Sequence, residues 1–502
     1  MIHPVAPEPE LHTLDQARGV VSSLVAELQQ ARWRIGQLEK ELYGPSSERC
    51  APPTLSKEQI LLSLFPAPAE PPATQTVLLP AQSQREARPR RQPVVQVLQT
   101  VTQILEPAEK TCPHCGQVKC QIGSETSERF EYIPAQVIRH QILRPKLACP
   151  CGQGGVSIVP LPPQLIEQGQ AGASLVAHVL LSKYEDHLPL YRQEQQFLRL
   201  GVNFPRQRLC DWVEKGAGWL VGIVREMKRE LLAGDYLQVD ETPVKVMDPD
   251  VKGQCATGYL WVAGRPGGDV IFEFHPGRGQ EFARELVGSF RGYLQRDGYS
   301  AYGALARSQS GLVAVGCWAH VRRKFLEAAQ LESAEAVEVV NEIRNLYLIE
   351  RQAREQGLTT QQRWSLRAEL AGPILAGLQP RLEGLREKYL PQSPMGKAIG
   401  YALNEWPALS RYLEEGRLEI DNNLTENAIR PSAVGKKNWL FIGRPQAGWR
   451  SAVLYSLIVS CRRRQIDPWE YFSDVLRRLP SMKQSEVPSI LPAHWKPNAG
   501  AG

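Results

Sequence analysis

No run of eighteen or more apolar residues interrupts this 502-residue chain, so no membrane-spanning helix is expected. Its start, "MIHPVAPEPELHTLDQ", lacks both a basic head and an apolar stretch, which argues against secretion. A strong charge of one sign is also missing. The net charge of +6 is too small at this length to indicate nucleic acid by itself. Nor are the cysteines spread as a disulfide framework requires. Of the ten, Cys112, Cys115, Cys120, Cys149 and Cys151 fall within forty residues and the rest stand alone, a pattern that in a cytosolic chain favours a metal. What is present is the composition of a soluble globular protein, 42% hydrophobic and 22% charged, long enough for three or more units.

Positive charge is gathered in knots: "REARPRR" (85–91), "VRRK" (321–324, with Arg322, Arg323 and Lys324), "GKK" (435–437, with Lys436 and Lys437) and "CRRR" (461–464). Each alone reads as a solvated face, and several around one acidic site say more. Residues 12–44 carry a seven-residue repeat. Leu14, Val21, Leu28, Ile35 and Leu42 occupy one seam position, and Leu24 and Leu38 fill the other with Ala17 and Ala31. That narrow stripe predicts a coiled coil and a homodimer or larger assembly, in which Glu27 faces Arg32 and Arg34 faces Glu39 across a parallel seam. Residues 45–107 read as a Pro-rich linker with a basic end.

Residues 108–160 hold "CPHCG" and "ACPCG", separated by strand-like alternation that suits a hairpin. The expectation is one structural zinc on Cys112, Cys115, Cys149 and Cys151. The second pair is tight, which leaves Cys120, His114 or His140 open as a replacement ligand. Residues 165–232 are helical. "LPLYRQEQQFLRL" meets a turn at Gly201, and a second helix starts near Pro205 with Arg206 and Arg208 in its first turn. This is the outline of a helix-turn-helix, although ordinary helical hairpins look the same.

From 233 the texture changes. "YLQVDETPVKVM", "GYLWVAG" and "DVIFEF" read as successive strands, and helices and strands then alternate to about 324, which describes a mixed α/β sheet. Residues 325–415 are Leu/Glu/Arg/Ala-rich helix, 416–455 contain "EIDNNLTENAIRP", and 456–502 close the chain with helices. Asp240 is expected to end one strand and Asp297 another, with Glu426 on a helix. Taken singly, Asp240 reads as the start of a turn, Asp297 as part of an Asp-Gly hairpin, and Glu426 as the partner of an Asn423 cap. Together, in the order Asp, Asp, Glu, they offer separated carboxylates able to hold two Mg²⁺ or Mn²⁺ ions about 4 Å apart, as phosphodiester chemistry requires.

The segments "LQVDETPVKV", "RDGYSAYG", "GCWAHVRRKF" and "EIDNNLTENAIRPSAVGKKNWLFIG" resemble the insertion-sequence sixty-six family of DDE transposases. "ELYGPSSER", "CPHCG", "HLPLYRQEQ" and "ILPAHWKP" follow the family order over nearly the whole chain. The resemblance implies a ribonuclease-H-like catalytic core (233–324 and 416–455) split by a helical insertion (325–415), with Asp240, Asp297 and Glu426 as the metal-binding triad. It further implies cleavage at the ends of a mobile element, joining of the freed 3′-hydroxyls to target DNA, possible helper proteins from the same element, and a cytoplasmic, nucleoid-associated location. Glu241 and Asp421 are candidate substitutes or neighbours of the triad, and Asn422, Asn423 and Asn427 candidate orienting groups. Arg430, Lys436 and Lys437 are expected on phosphates, and Trp318 with His320 and Trp439 with Phe441 are candidates for base stacking, although buried core aromatics are the commoner case. The sequence departs from the family pattern at "ACPCG", one residue short between its cysteines, and at "QPVVQVLQTVTQILEPAEK". A nuclease that cuts without joining, and a DNA-binding protein without catalysis, are the competing readings.

Overall fold

The computed structural model describes residues 136–144, 146–148, 156–167, 169–247, 253–330 and 333–497. The chain divides into two units between Pro134 and Ala135, and every described residue belongs to the second. The coiled-coil seam, the linker and Cys112, Cys115, Cys149 and Cys151 therefore lie outside the described residues. So do His114 and Cys120, while His140 is exposed.

A short antiparallel pairing of β1 (Leu147–Ala148) with β2 (Val156–Ser157) precedes three helices, α1 (Ala173–Tyr184), α2 (Leu190–Arg199) and α3 (Arg206–Leu232). Gly201 takes the left-handed turn after α2 at φ +80°, a conformation glycine adopts without a steric penalty. Pro205 sits just outside α3 as its N-cap, one place earlier than the sequence suggested. Leu209, Val213, Ala217, Leu220, Val224, Met227 and Leu231 give α3 a buried stripe at helical spacing.

The centre is a five-stranded mixed sheet in the order β5-β4-β3-β6-β7. β3 (Tyr236–Met247), β4 (Cys255–Gly264) and β5 (Val270–His275) form an antiparallel meander, and β6 (Gly292–Gln295) and β7 (Leu312–Val315) run parallel to β3. Parallel neighbours need crossover helices, supplied by α4 (Gln280–Val287) and α5 (Ser300–Ser308). α6 (Trp318–Ala329) leaves β7 for a helical block of α7 (Ala334–Glu355), α8 (Thr360–Leu366), α9 (Gly372–Lys388) and α10 (Pro394–Ser410). The chain then returns to the sheet as α11 (Asn423–Trp439) and closes with α12 (Gly448–Arg463) and α13 (Pro468–Arg478). Two apolar cores result. One lies between the sheet, α1–α3 and α12–α13, and the other lies within the helical block and reaches the sheet through Val315 of β7 and Tyr236 of β3.

The outer edge of β5 is protected in an unusual way. Ser456 and Ser460, one turn apart on α12, accept hydrogen bonds from the main-chain N–H groups of Phe272 (2.8 Å) and Val270 (3.0 Å). An edge strand otherwise offers such groups to another chain. Here two hydroxyls satisfy them, which lets the buried stretch 451–461 of α12 lie along the sheet edge.

Candidate active site

β3 and β6 carry the same triplet, Tyr-Leu-Gln, at 236–238 and 293–295, and they pair in that register: Tyr236 with Tyr293, Leu237 with Leu294, Gln238 with Gln295. Pairing stops there. Two residues further on each strand bring the chain to Asp240 and Asp297. Because side chains alternate with period two, both aspartates continue the face of the sheet that carries Tyr236, Gln238 and Gln295. Two positional expectations need correction. Asp240 does not end its strand, which runs on to Met247 in pairing with β4, opposite Val262. Asp297 lies two residues beyond β6 and leads into α5, so the Asp-Gly pair is not a hairpin turn. What ends at this level is the pairing of β3 with β6, at the carboxyl end of β6, the side of an open α/β sheet where ligands bind.

Buried polar groups on the same face position the third acid. Gln238 Nε2 donates to Gln295 Oε1 (2.8 Å) and to the Asp421 carbonyl (3.2 Å), and the Thr425 hydroxyl donates to Gln238 Oε1 (3.1 Å). Gln295 Nε2 donates to the carbonyls of Glu419 (2.7 Å) and Gly316 (3.1 Å), and the Tyr236 hydroxyl bonds Gln295 and accepts from the Glu419 N–H (3.0 Å). These bonds fix residues 419–425 against the sheet, which delivers Glu426 in the first turn of α11. The cap expectation is corrected as well. Asn422, not Asn423, is the N-cap and makes no side-chain cap bond, while Asp421 accepts the Asn423 N–H (3.1 Å).

The helical block holds both ends of this arrangement. From α10, the Tyr401 hydroxyl accepts the Gly298 N–H (3.0 Å), and Glu405, one turn on, pairs with Arg296 (2.6 Å). The Tyr401 ring lies so close to Gly298 that an added Cβ would stand 2.3 Å from Cε2. On the other side, fully buried Arg367 donates to the carbonyls of Tyr412 (2.7 Å), Glu415 (2.9 Å) and Leu418 (2.7 Å) while paired to buried Glu350 (2.6 Å). Arg363 bridges Glu350 and Glu419, and Tyr347 donates to Asp421 (2.8 Å). The segment that leads into α11 is thus tied down at five successive points.

The Asp240 carboxyl senses the charges of the other two acids. The Asp240 carboxyl is pushed well above the usual range, first by burial and then by the charge of Glu241, with Glu426 and Asp297 adding to it; the hydrogen bond from the Glu241 N–H opposes the rise. Such crowding favours a cation among the carboxylates. Glu426 Oε1 is buried without a hydrogen-bond partner, with His320 Nδ1 at 3.7 Å and, on the other oxygen, Arg323 at 3.6 Å. Asp240 and Asp297 each spend one oxygen on a nearby main-chain N–H, of Glu241 (2.8 Å) and Tyr299 (2.9 Å). A set of hard carboxylate oxygens with one of them orphaned fits a Mg²⁺- or Mn²⁺-like ion.

The remaining candidates separate clearly. Glu241 is no stand-in for Asp240: its side chain lies on the other side of the strand, held by Arg278 (2.7 Å) and the Tyr302 hydroxyl (2.9 Å). Trp318 cannot stack on a base, because it is fully buried, edge-on to Trp406 at 5.7 Å, and donates to the Leu409 carbonyl. Trp439 is half-buried and Phe441 exposed. Arg322, Arg323 and Arg430 are exposed, Lys324 lies over the Tyr401 ring (4.8 Å), and Lys436 reaches the Pro243 carbonyl (3.4 Å). Lys437 is exposed on the same helix. Arg206 and Arg208 belong to another neighbourhood: the Arg206 N–H bonds Glu194 of α2, and the Arg208 side chain bonds Gln170. Sequence reasoning missed the roles of Gln238, Gln295, Tyr401 and Arg367. The repeated "YLQ" two residues before an Asp was a readable signal for the first two; nothing marked the others.

Sheet and site together are compatible with a ribonuclease-H-like transposase core. Residues 168–450 match the sequence profile described as Transposase IS66 family, 109–152 the zinc-finger binding domain of transposase IS66, and 456–493 the IS66 C-terminal element. The chain belongs to the IS66 family of transposases. It is similar to three uncharacterized proteins of Sinorhizobium fredii. To y4jD it is 34% identical, over 78% of this chain and 80% of the relative. To y4qI it is 33% identical, over 80% and 77%. To y4hP it is 29% identical, over 92% and 88%. The zinc-finger match supports zinc binding in the module at 109–152. Among the described residues no helix is long and apolar enough to cross a membrane.

Proposed function

We propose that this chain is a DDE transposase that binds the terminal repeats of its element, cuts at the element ends and joins the 3′-hydroxyls to target DNA. The reading is supported by the register that puts Asp240 and Asp297 each two residues past the last β3–β6 pair, and by the charges of Asp297 and Glu426 acting on the Asp240 carboxyl. In this reading the mixed sheet is a ribonuclease-H-like core, α7–α10 are an insertion between the second and third acids, and α2–α3 form a DNA-contacting helical pair. The zinc module and coiled coil serve end recognition and pairing. Asp240, Asp297 and Glu426 would together hold a pair of hard divalent ions. Bound there, such ions activate the attacking hydroxyl and neutralise charge on the phosphorus oxygens. The residues of the chain set the geometry: Gln238 and Gln295 fix the level of the acids, Tyr401 holds the Asp297 loop, and Arg323, Arg430, Lys436 and Lys437 line the approach for phosphates.

Purified protein incubated with labelled element ends, Mg²⁺ and a target plasmid tests the proposal. Joined products support it. Nicks alone indicate a nuclease, and a gel shift without cleavage indicates a DNA-binding protein. Asp297→Asn is expected to abolish cleavage and leave end binding intact; loss of both together would make Asp297 structural.

A further inference from the structure

Beside the acids lies a second donor set of different chemical character. Cys317 is the N-cap of α6, and His320, three residues on, projects from the first turn on the same side. Cys317 Sγ and His320 Nδ1 are 3.2 Å apart, His320 Nδ1 and Glu426 Oε1 are 3.7 Å apart, and the three ligand atoms all lie within 4.8 Å of one another. A tetrahedral zinc ion, with bonds of about 2.3 Å to sulfur and about 2.0–2.1 Å to nitrogen, holds its ligands roughly 3.3–3.6 Å apart. The set needs little movement to close on such an ion. It is also held in place: the Trp318 N–H donates to the Ile420 carbonyl (3.1 Å), tying the start of α6 to the segment that leads into α11. Independently, Glu426 Oε1 is buried with no hydrogen-bond partner, an expensive arrangement unless something else takes that lone pair.

We propose that Cys317, His320 and Glu426 form a binding site for a thiophilic divalent ion such as Zn²⁺ or Co²⁺, distinct from the hard-cation site at Asp240 and Asp297 and sharing Glu426 with it. Thiolate and imidazole select zinc and cobalt over magnesium, whereas Asp240 and Asp297 offer only oxygen. Binding displaces the Cys317 thiol proton to solvent and must overcome burial, which pushes this thiol well above its ordinary range, so the ion loads more readily as pH rises. An ion seated there takes Glu426 as a ligand, so its occupancy withdraws Glu426 from the other two acids. The site thereby couples soft-metal supply to the acidic centre. The existence of the site rests on geometry and donor chemistry and does not depend on the proposed transposition reaction.

The test is a Co²⁺ titration of the full-length protein carrying its own zinc, with released zinc counted throughout. The expected result is one added equivalent of Co²⁺ without matching zinc release, with tetrahedral visible bands and a sulfur-to-cobalt charge-transfer band. Cys317→Ser removes that charge-transfer increment. His320→Ala and Glu426→Gln each weaken the added equivalent by roughly tenfold or more. No added equivalent, an increment accompanied by stoichiometric zinc release, or titrations unchanged by these substitutions overturn the proposal. His320 is half-buried, so its variant carries the test should buried Cys317→Ser fail to fold. Strand-transfer failure in Mg²⁺ alone would sink the catalytic reading and leave this one standing, and the converse holds for the cobalt titration.

Discussion

Glu350→Gln isolates the clamp that approaches Glu426. Glu350 and Arg367 are 1% and 0% exposed, and the arginine also holds three main-chain carbonyls of the 412–418 segment. Neutralising the glutamate keeps the side chain's shape but leaves the Arg367 charge buried without its counter-ion. Breaking a buried pair in this way costs about 3–5 kcal/mol. With an unfolding entropy of about 2.1 cal/mol/K per residue over roughly 330 residues, that cost lowers Tm by about 4–7 °C. The pH dependence gives a second readout. Burial tends to raise the Glu350 carboxyl, but the hydrogen bonds and charges of Arg367 and Arg363 outweigh it and hold it below its ordinary value of 4.5. A depressed carboxylate contributes stability that is present above the unfolded-state value and is lost as pH falls through the folded-state one. The Tm gap between wild type and Glu350→Gln should therefore be constant from pH 7 to about pH 5 and shrink below 4.5. Differential scanning calorimetry across that range measures it. A gap under about 1.5 °C, equivalent to about 1 kcal/mol, or one that widens on acidification, would refute the buried-pair account.

Other consequences follow from the same contacts. Gly298→Ala should leave the fold intact but reduce DNA cleavage by roughly tenfold or more, since the new methyl meets the Tyr401 ring and displaces the Asp297 loop; full activity would show that the loop tolerates the shift. Ser456→Ala with Ser460→Ala should cost about 1–3 kcal/mol per unpaired amide and speed hydrogen exchange at Phe272 and Val270, as NMR or mass spectrometry can record. Gln238→Leu should destabilise by about 2–4 kcal/mol, because Gln295, Thr425 and the Asp421 carbonyl lose a shared buried partner; a change below about 0.5 kcal/mol in urea unfolding would contradict the network. Metal analysis of protein prepared without added metal should find about one zinc per chain, absent after Cys112→Ser.

Much of the candidate site was legible in the sequence because its chemistry is carried by residue type. Acids near strands and on a helix, with basic residues close by, pointed to Asp240, Asp297 and Glu426 before any fold was known. The strand run from 236 to 275 and the helical block showed as plain changes in periodicity, which follows from local backbone geometry. Where single residues sit was less legible. Asp240 looked like a strand end because a loss of pairing on one side of a strand leaves no mark in its own sequence. For Trp318 the sequence left base stacking open beside the commoner buried-core role, and packing on Trp406, 88 positions away, decided for the core.

The sequence by itself determined the family and the element types and marked three acids as candidates, since these rest on local pattern and side-chain chemistry. Tertiary structure alone decided the rest. The register of β3 with β6 sets Asp240 level with Asp297, a network of two glutamines carries Glu426 to them, and the distant Arg367 and Tyr401 hold the approaches. It also turned Cys317 and His320 toward Glu426. Contacts between residues far apart in the chain arise from packing and hydrogen-bond satisfaction across elements, and no local pattern encodes them.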